Sequence, residues 1–432
     1  MDTAEVVHVN LYDSGNGAAR AAHRLHQGLR GEGVSSKMYV RWKKTSGDHV
    51  IDFDPPTDIC SRIYRRLRRE WIQYAFSKYA ETRPEKPGPF HGDRSEFKGQ
   101  VLGQCPSADV FNLHSIYDFL DVGSFFRDVS VPVVWTLHDM NPFTGGCQYS
   151  GGCARFRQSC GQCPQLGSNT RTDLSRNIWS RKRRAYQHAI ENDRLRVVCP
   201  SQWMASEARQ SSLFSDVPVK VIPNSVDTNV FRPRDTEGIP AAFEIPSSHR
   251  TLLFLSSSIE QTRKGFNLFR EAVKSLSTTE LSVISVGGGD SKLSSSVSHI
   301  HLGSISNDRL LSLIYSTADV FVIPSRQDNL PNTVLESMAC GTPVVGFDVG
   351  GIPDMVRPGE TGWLAEAEDS RALGEAIDAA LADDVKRERM EKRCREVIEA
   401  EYALEVQANN YRKLYNEMIQ SESVERSNNR SY

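Results

Sequence analysis

Short runs of apolar residues recur along the chain, each closed by glycine, proline or a polar pair and followed by apolar residues at helical spacing. In the first half they cover residues 6–11, 109–114, 131–138, 197–198 and 220–223. In the second half they cover 251–258, 281–286, 318–324 and 343–347. Such runs, with little polar alternation, predict strands buried on both faces of a parallel sheet. Between them lie helical patterns: Ala18, Ala22, Leu25 and Leu29 after the first strand, then 308–316, 333–340 and a series from 373 to 414. Strand and helix alternate in both halves, so the fold class is α/β with two doubly wound parallel sheets. The chain's 432 residues exceed what one core usually holds, and Pro, Glu and Ser cluster over 231–248. The expected domains are therefore 1–234 and 235–404, then a helix over 405–420 and a disordered tail over 421–432.

Composition narrows the function classes. Hydrophobic residues are 39%, charged residues 25% and the net charge is −2, an ordinary globular balance with no general attraction to nucleic acid. No apolar run approaches the roughly 18 residues of a membrane span, and the first residues enter a strand without the basic and apolar segments of a signal peptide. A cytoplasmic protein is expected, so its nine cysteines suggest thiols or metal ligands more than disulfides. Basic charge is local. Residues 61–80 interleave Arg62, Arg65, Arg66, Arg68 and Arg69 with Ile63, Leu67, Trp71 and Tyr74 on one helical side. That is the composition of a helix resting on anionic lipid; a packed surface helix with a solvated basic face is the alternative. Residues 81–99 are polar with three prolines and predict a long loop, either a lid or disordered.

Candidate chemistry falls at strand ends, where open α/β sheets bind ligands. After the run ADVFVIP comes a polar loop, 325–332, then a predicted helix from Thr333, with Thr333 and Glu336 forming a capping box. Asp328 and Glu336 bracket this loop as carboxylates able to accept sugar or ribose hydroxyls; an ordinary loop with two solvated acids is the alternative. Arg263-Lys264-Gly265 sits at another strand-to-helix turn, where adjacent cations suit a diphosphate. Gly15 and Gly17 follow the first strand and permit close approach of a phosphate or sugar, without a full dinucleotide motif. His138, with Asp139, ends the run VPVVWTLH and could donate to a developing charge; His114 is a weaker candidate. Cys147, Cys153, Cys160 and Cys163 lie within 17 residues as C-x5-C-x6-C-x2-C. Only the last pair has common zinc spacing, so a structural zinc and free or paired thiols both stand.

The stretch DNLPNTVLESMACGTPVV resembles the acidic signature of family 4 retaining glycosyltransferases, particularly the exopolysaccharide, colanic-acid-type branch. SGNGAARAAHRLHQGLRGEGVSSKMYV, TLHDMNPFTGGC, the CPQL-containing cysteine segment, PNSVD and RKG are similar to further elements of that branch, in the same order across residues 1–418. The resemblance implies the GT-B fold, two Rossmann-like domains with an interdomain cleft, and a last helix crossing back to the first. It implies that Glu336 holds the nucleotide ribose and Lys264, with Arg263, the diphosphate. Asp328, the stretch Asn329, Leu330, Pro331, Asn332 and Thr333 that follows it, and His138 would face the donor sugar, with the Gly15–Gly17 loop lining the cleft. The chain departs from the pattern with Asp328 for glutamate, Ser258 for arginine and Ser225 for glycine.

The reaction expected is transfer from a UDP- or GDP-sugar to a glycan acceptor, lipid-linked where residues 61–80 meet the inner face of the plasma membrane. No cofactor is expected for catalysis, since no paired-aspartate motif stands out to hold a divalent ion. A sugar-nucleotide epimerase or hydrolase of the same architecture, and a zinc-containing binding scaffold, are the rival readings.

Overall fold

The computed structural model describes residues 4–85, 88–289, 292–293 and 297–428. The chain divides into two units, one formed by residues 1–222 with 408–432, the other by 223–407. The first holds a seven-stranded sheet: β1 (Glu5–Tyr12), β2 (Ser35–Trp42), β3 (Val50–Asp52), β4 (Val110–Leu113), β5 (Val133–Thr136), β6 (Leu195–Cys199) and β7 (Val219–Val221). Its order is β3-β2-β1-β4-β5-β6-β7, all parallel. The second holds β8 (Arg250–Ser258), β9 (Leu281–Gly288), β10 (Ser298–His301), β11 (Val320–Ile323), β12 (Val344–Phe347) and β13 (Gly362–Ala365). Their order is β10-β9-β8-β11-β12-β13, again all parallel.

Both orders reverse once, between β1 and β4 and between β8 and β11. At such a switch the loops leaving the two strands diverge to opposite faces and open a crevice at their carboxyl ends. In the second sheet Phe321 of β11 lies between Leu253 of β8 and Val344 of β12. The inner strands β4, β5, β11 and β12 are buried throughout, which explains why they read as unbroken apolar runs.

Three expectations change. The units part at 222/223, before the composition shift over 231–248, because Val226 and Phe231 are buried in the second core and Val226 N–H donates to Tyr402 O at 2.9 Å. The last helix, Leu404–Asn428, continues eight residues into the segment expected to be disordered, since adding residues to an existing helix is cheap; residues 429–432 lie outside the described residues. Its Tyr411 and Tyr415 join the first unit's core and bond Thr136 and Asn112 at 2.9 and 2.7 Å. Residues 88–99 pack instead of forming an open lid: Phe90 and Phe97 are buried, and Asp93 pairs with Arg181 at 2.6 Å.

Candidate functional site

In the second unit the chemistry collects at the β8/β11 switch. Strand β8 leads to a single turn, Thr262–Lys264, closed by Gly265. Gly265 has φ +71°, and a Cβ there would stand 1.8 Å from Pro324 O, so the close approach of this turn to the end of β11 requires glycine. Arg326 N–H donates to Arg263 O at 2.8 Å, and Arg263 Nη1 donates to Gln327 O at 2.7 Å, lacing the two loops together. Gly350 supplies a third wall: its φ is +58°, a Cβ would meet Asp328 O at 1.9 Å, and Gly351 N–H donates to that oxygen at 3.1 Å.

Asp328 lies at the centre. Lys264 Nζ donates to its Oδ2 at 2.6 Å, Arg263 Nη1 stands 3.3 Å from Oδ1, and Ser325 Oγ donates to Oδ2 at 3.2 Å. Burial alone would raise the Asp328 carboxyl, but Lys264 and Arg263 bring it down to about 2. Burial lowers the Lys264 ammonium while Asp328 holds it up. Two cations around one carboxylate leave a single net positive charge at the end of β11. The residues assigned separately to diphosphate and sugar are thus one ion-paired cluster.

Beside it, Asn332–Ala339 forms the helix. Its N-cap is Pro331, with no side-chain cap, so the expected capping box of Thr333 and Glu336 is not made. Proline caps the helix two residues earlier than Thr333 would, leaving helix-start N–H groups without a side-chain cap. Asn332 and Thr333 are partly exposed, whereas Asn329, Leu330 and Pro331 are buried. Leu330 belongs to the core, and its carbonyl accepts from Asn224 Nδ2 at 3.2 Å. Glu336 is 2% exposed and accepts from the buried Tyr315 hydroxyl at 3.3 Å.

In the first unit, the loop after β1 exposes Gly15, Asn16 and Gly17. Asn16 caps the helix Gly17–Gly31 by accepting from Ala19 N–H at 2.8 Å. Asp13 is buried and accepts from the Lys44 and Thr45 N–H groups at 2.8 Å each, which pins this loop to the one after β2. His138 follows β5 and is partly exposed; burial pushes its imidazole down to about 4, so it is neutral near pH 7. Its Nε2 lies 3.0 Å from His114 Nδ1. Asp139 is buried, is raised to about 6 by burial, and accepts from Tyr117 O–H and from Asn141 N–H at 2.8 Å. It fixes the turn that presents His138 and does not itself reach outward.

Cys147, Cys153, Cys160 and Cys163 line one small cavity of about 20 Å³. Gly145 N–H donates to Cys160 Sγ at 3.2 Å, and burial pushes the Cys147 and Cys160 thiols up to about 12. Among the described residues no group of three or more His, Cys, Asp or Glu side chains is placed to hold a metal ion. The fold gathers the four thiols around a common space without forming a ligand set.

The family model for Glycosyltransferase Family 4 matches residues 15–230, half of the chain, and that for Glycosyl transferases group 1 matches residues 249–383. The chain belongs to glycosyltransferase family 4. The N-acetyl-alpha-D-glucosaminyl L-malate synthase of Bacillus anthracis is 23% identical over 214 residues, covering 47% of this chain and 55% of that protein. The D-inositol 3-phosphate glycosyltransferase of Acidothermus cellulolyticus is 31% identical over 209 residues, covering 42% and 46%. The chain thus spans about half the length of the curated relatives it matches. Among solved structures, sucrose-phosphate synthase from Thermosynechococcus elongatus shares the fold at TM-score 0.66 and 18% identity, covering 97% of this chain and 100% of that one. Anabaena Alr3699/HepE in complex with UDP and glucose does so at 0.63 and 14%, covering 96% and 99%. The family 4 chain therefore has the GT-B pair of α/β parallel-sheet units that the sequence predicts.

Sequence reasoning missed Asp13, Ser325, Tyr315 and His8. Asp13 and Ser325 end buried strands beside motifs that were recognised. His8 interrupts an apolar run, a polar residue within a strand buried on both faces, and that was its available signal.

Proposed function

We propose that this chain is a retaining glycosyltransferase that moves a sugar from a nucleotide-diphosphate sugar to a glycan acceptor in surface or exopolysaccharide biosynthesis. The observation that carries the donor class is the Arg263–Lys264–Asp328 cluster beside a helix start without a side-chain cap, at the sheet's switch point. Breaking the anomeric C–O bond sends its electron pair to the diphosphate oxygen. Lys264 and Arg263 stabilise that charge in place, without reorganising at the moment of reaction. On donor binding Asp328 accepts from the cations and a sugar hydroxyl together. Glu336 accepts from the ribose, and His138 is a hydrogen-bond donor to a sugar oxygen. The bound UDP and glucose of Alr3699/HepE agree with this donor class.

The acceptor reading rests on the helix Ile59–Ser77, which has no buried residue. Ile59, Ile63, Leu67, Trp71 and Tyr74 recur at three- and four-residue spacing and are all exposed, with Leu67 at 61% and Trp71 at 50%. Arg62, Arg65, Arg66 and Arg69 flank them. Among the described residues no helix is long and apolar enough to cross a membrane. An apolar stripe with basic flanks suits the anionic surface of a bilayer, where a lipid-linked acceptor is held. The test is nucleoside diphosphate release from UDP-, GDP- and ADP-sugars with and without lipid-linked acceptors. One donor should turn over faster with acceptor. Donor consumed at the same rate without acceptor, yielding free sugar or an isomer, would favour a hydrolase or epimerase.

A further inference from the structure

Three imidazoles form a row toward the carboxyl edge of the first sheet: His8 within β1, His114 just after β4 and His138 two residues after β5. His8 Nδ1 lies 3.0 Å from His114 Nε2, and His114 Nδ1 lies 3.0 Å from His138 Nε2. Successive rings are nearly parallel, with centroids 5.3 and 5.2 Å apart and planes inclined by 28° and 23°. The row runs from the fully buried His8 and His114 to the partly exposed His138. At the inner end, His8 Nε2 is buried with no hydrogen-bond partner. We infer that His8 and His114 are positioning residues that fix the tautomer of His138, so that its Nδ1 carries the proton and serves as a hydrogen-bond donor to the sugar.

Burial keeps all three rings neutral, holding His8 and His114 well below the ordinary range. A neutral imidazole has one N–H and one lone pair, so a row of three can be ordered in only two senses. In one, His8 Nδ1–H donates to His114 Nε2 and His114 Nδ1–H donates to His138 Nε2. In the other, every bond reverses and His8 Nε2–H becomes a buried donor with nothing to meet. A buried orphan N–H is the rarer defect, so the first sense holds. It occupies the Nε2 lone pair of His138 and leaves Nδ1–H as its donor. The ring can then hydrogen-bond a sugar oxygen but is not a base toward it. A ring free to exchange tautomers would offer that donor only part of the time.

This inference rests on the reading of His138 as a sugar contact, and the test separates the two. Nitrogen-15 NMR of the histidine-labelled full chain reports each ring's tautomer without turnover, and His114 and His138 should both be Nδ1–H across about pH 6 to 8. Asparagine places its amide N–H near the position of an imidazole Nδ1–H, and glutamine near that of Nε2. His114→Asn should therefore keep kcat within about fivefold, while His114→Gln and His114→Ala should lower it by about tenfold or more with the donor KM little changed. An Nε2–H signal from His138, or equal kinetics for the three variants, would overturn the proposal. Full activity in His138→Ala would overturn the sugar contact instead, while the spectrum would still report the row.

Discussion

Lys264→Met is the perturbation that bears on most of the site. The ammonium removed bonds Asp328 Oδ2 at 2.6 Å, and the two side chains are 20% and 9% exposed. Deleting one partner of a buried ion pair costs about 3–5 kcal/mol when the other charge is left alone. Here Arg263 stays 3.3 Å from Oδ1, so the expected loss is smaller, about 2–3 kcal/mol. For a unit of about 150–250 residues each kcal/mol moves Tm by about 2–4 °C, giving a fall of about 4–12 °C in the transition of the second unit. Asp328→Asn in the same background should cost nothing further, because the carboxylate being stranded has gone. The double-mutant cycle should show about 2 kcal/mol of coupling by urea denaturation. Kinetically, loss of charge stabilisation at the leaving diphosphate should lower kcat/KM by more than about a hundredfold, or about 2.7 kcal/mol. Additive stabilities would refute the buried pair, and near-wild-type kinetics would refute the diphosphate assignment.

Three other outcomes follow. Asp328 has its pKa depressed to about 2, so its contribution of about 2 kcal/mol is complete above the unfolded value near 4 and is lost as pH falls through 2. Asp328→Asn should flatten that part of the acid-denaturation curve; an unchanged slope would count against the pairing. Leu67→Glu with Ile63→Glu should leave Tm nearly unchanged, because both side chains are exposed, yet cut binding to anionic vesicles by about tenfold or more in flotation assays. Undiminished binding would remove the membrane role of that helix. The four cysteines form no ligand set, so metal analysis of the purified protein should find no bound zinc, with four titratable thiols. About one zinc per chain would contradict this, because the thiols would have to rotate inward and lose their protons to bind it.

The inner strands were legible because parallel strands buried on both faces read as apolar runs, as VVWT and VFVI do. The strands the pattern missed are peripheral or interrupted. β2 carries Lys37 and Arg41 in SSKMYVRW, β10 is SHIH on an edge, and β13 opens on glycine. The meeting of Lys264 with Asp328 across 64 residues follows from strand order, which periodicity does not encode; their direct pairing follows from loop geometry fixed by Gly265 and Gly350. The helix start was misplaced by one residue because Thr333 and Glu336 satisfy a capping pattern that Pro331 pre-empts. The histidine row was hidden because His8, in β1, and His114, just after β4, are 106 residues apart.

The Arg263–Lys264–Asp328 cluster of the second unit should bind a nucleoside diphosphate. Titration calorimetry of the full chain with UDP, GDP and ADP, repeated with Glu336→Gln and Lys264→Met, tests this most directly. One of the three should bind the wild type, with affinity reduced about tenfold or more in each variant. No binding at millimolar ligand to folded protein, or equal binding by all three proteins, would contradict the assignment.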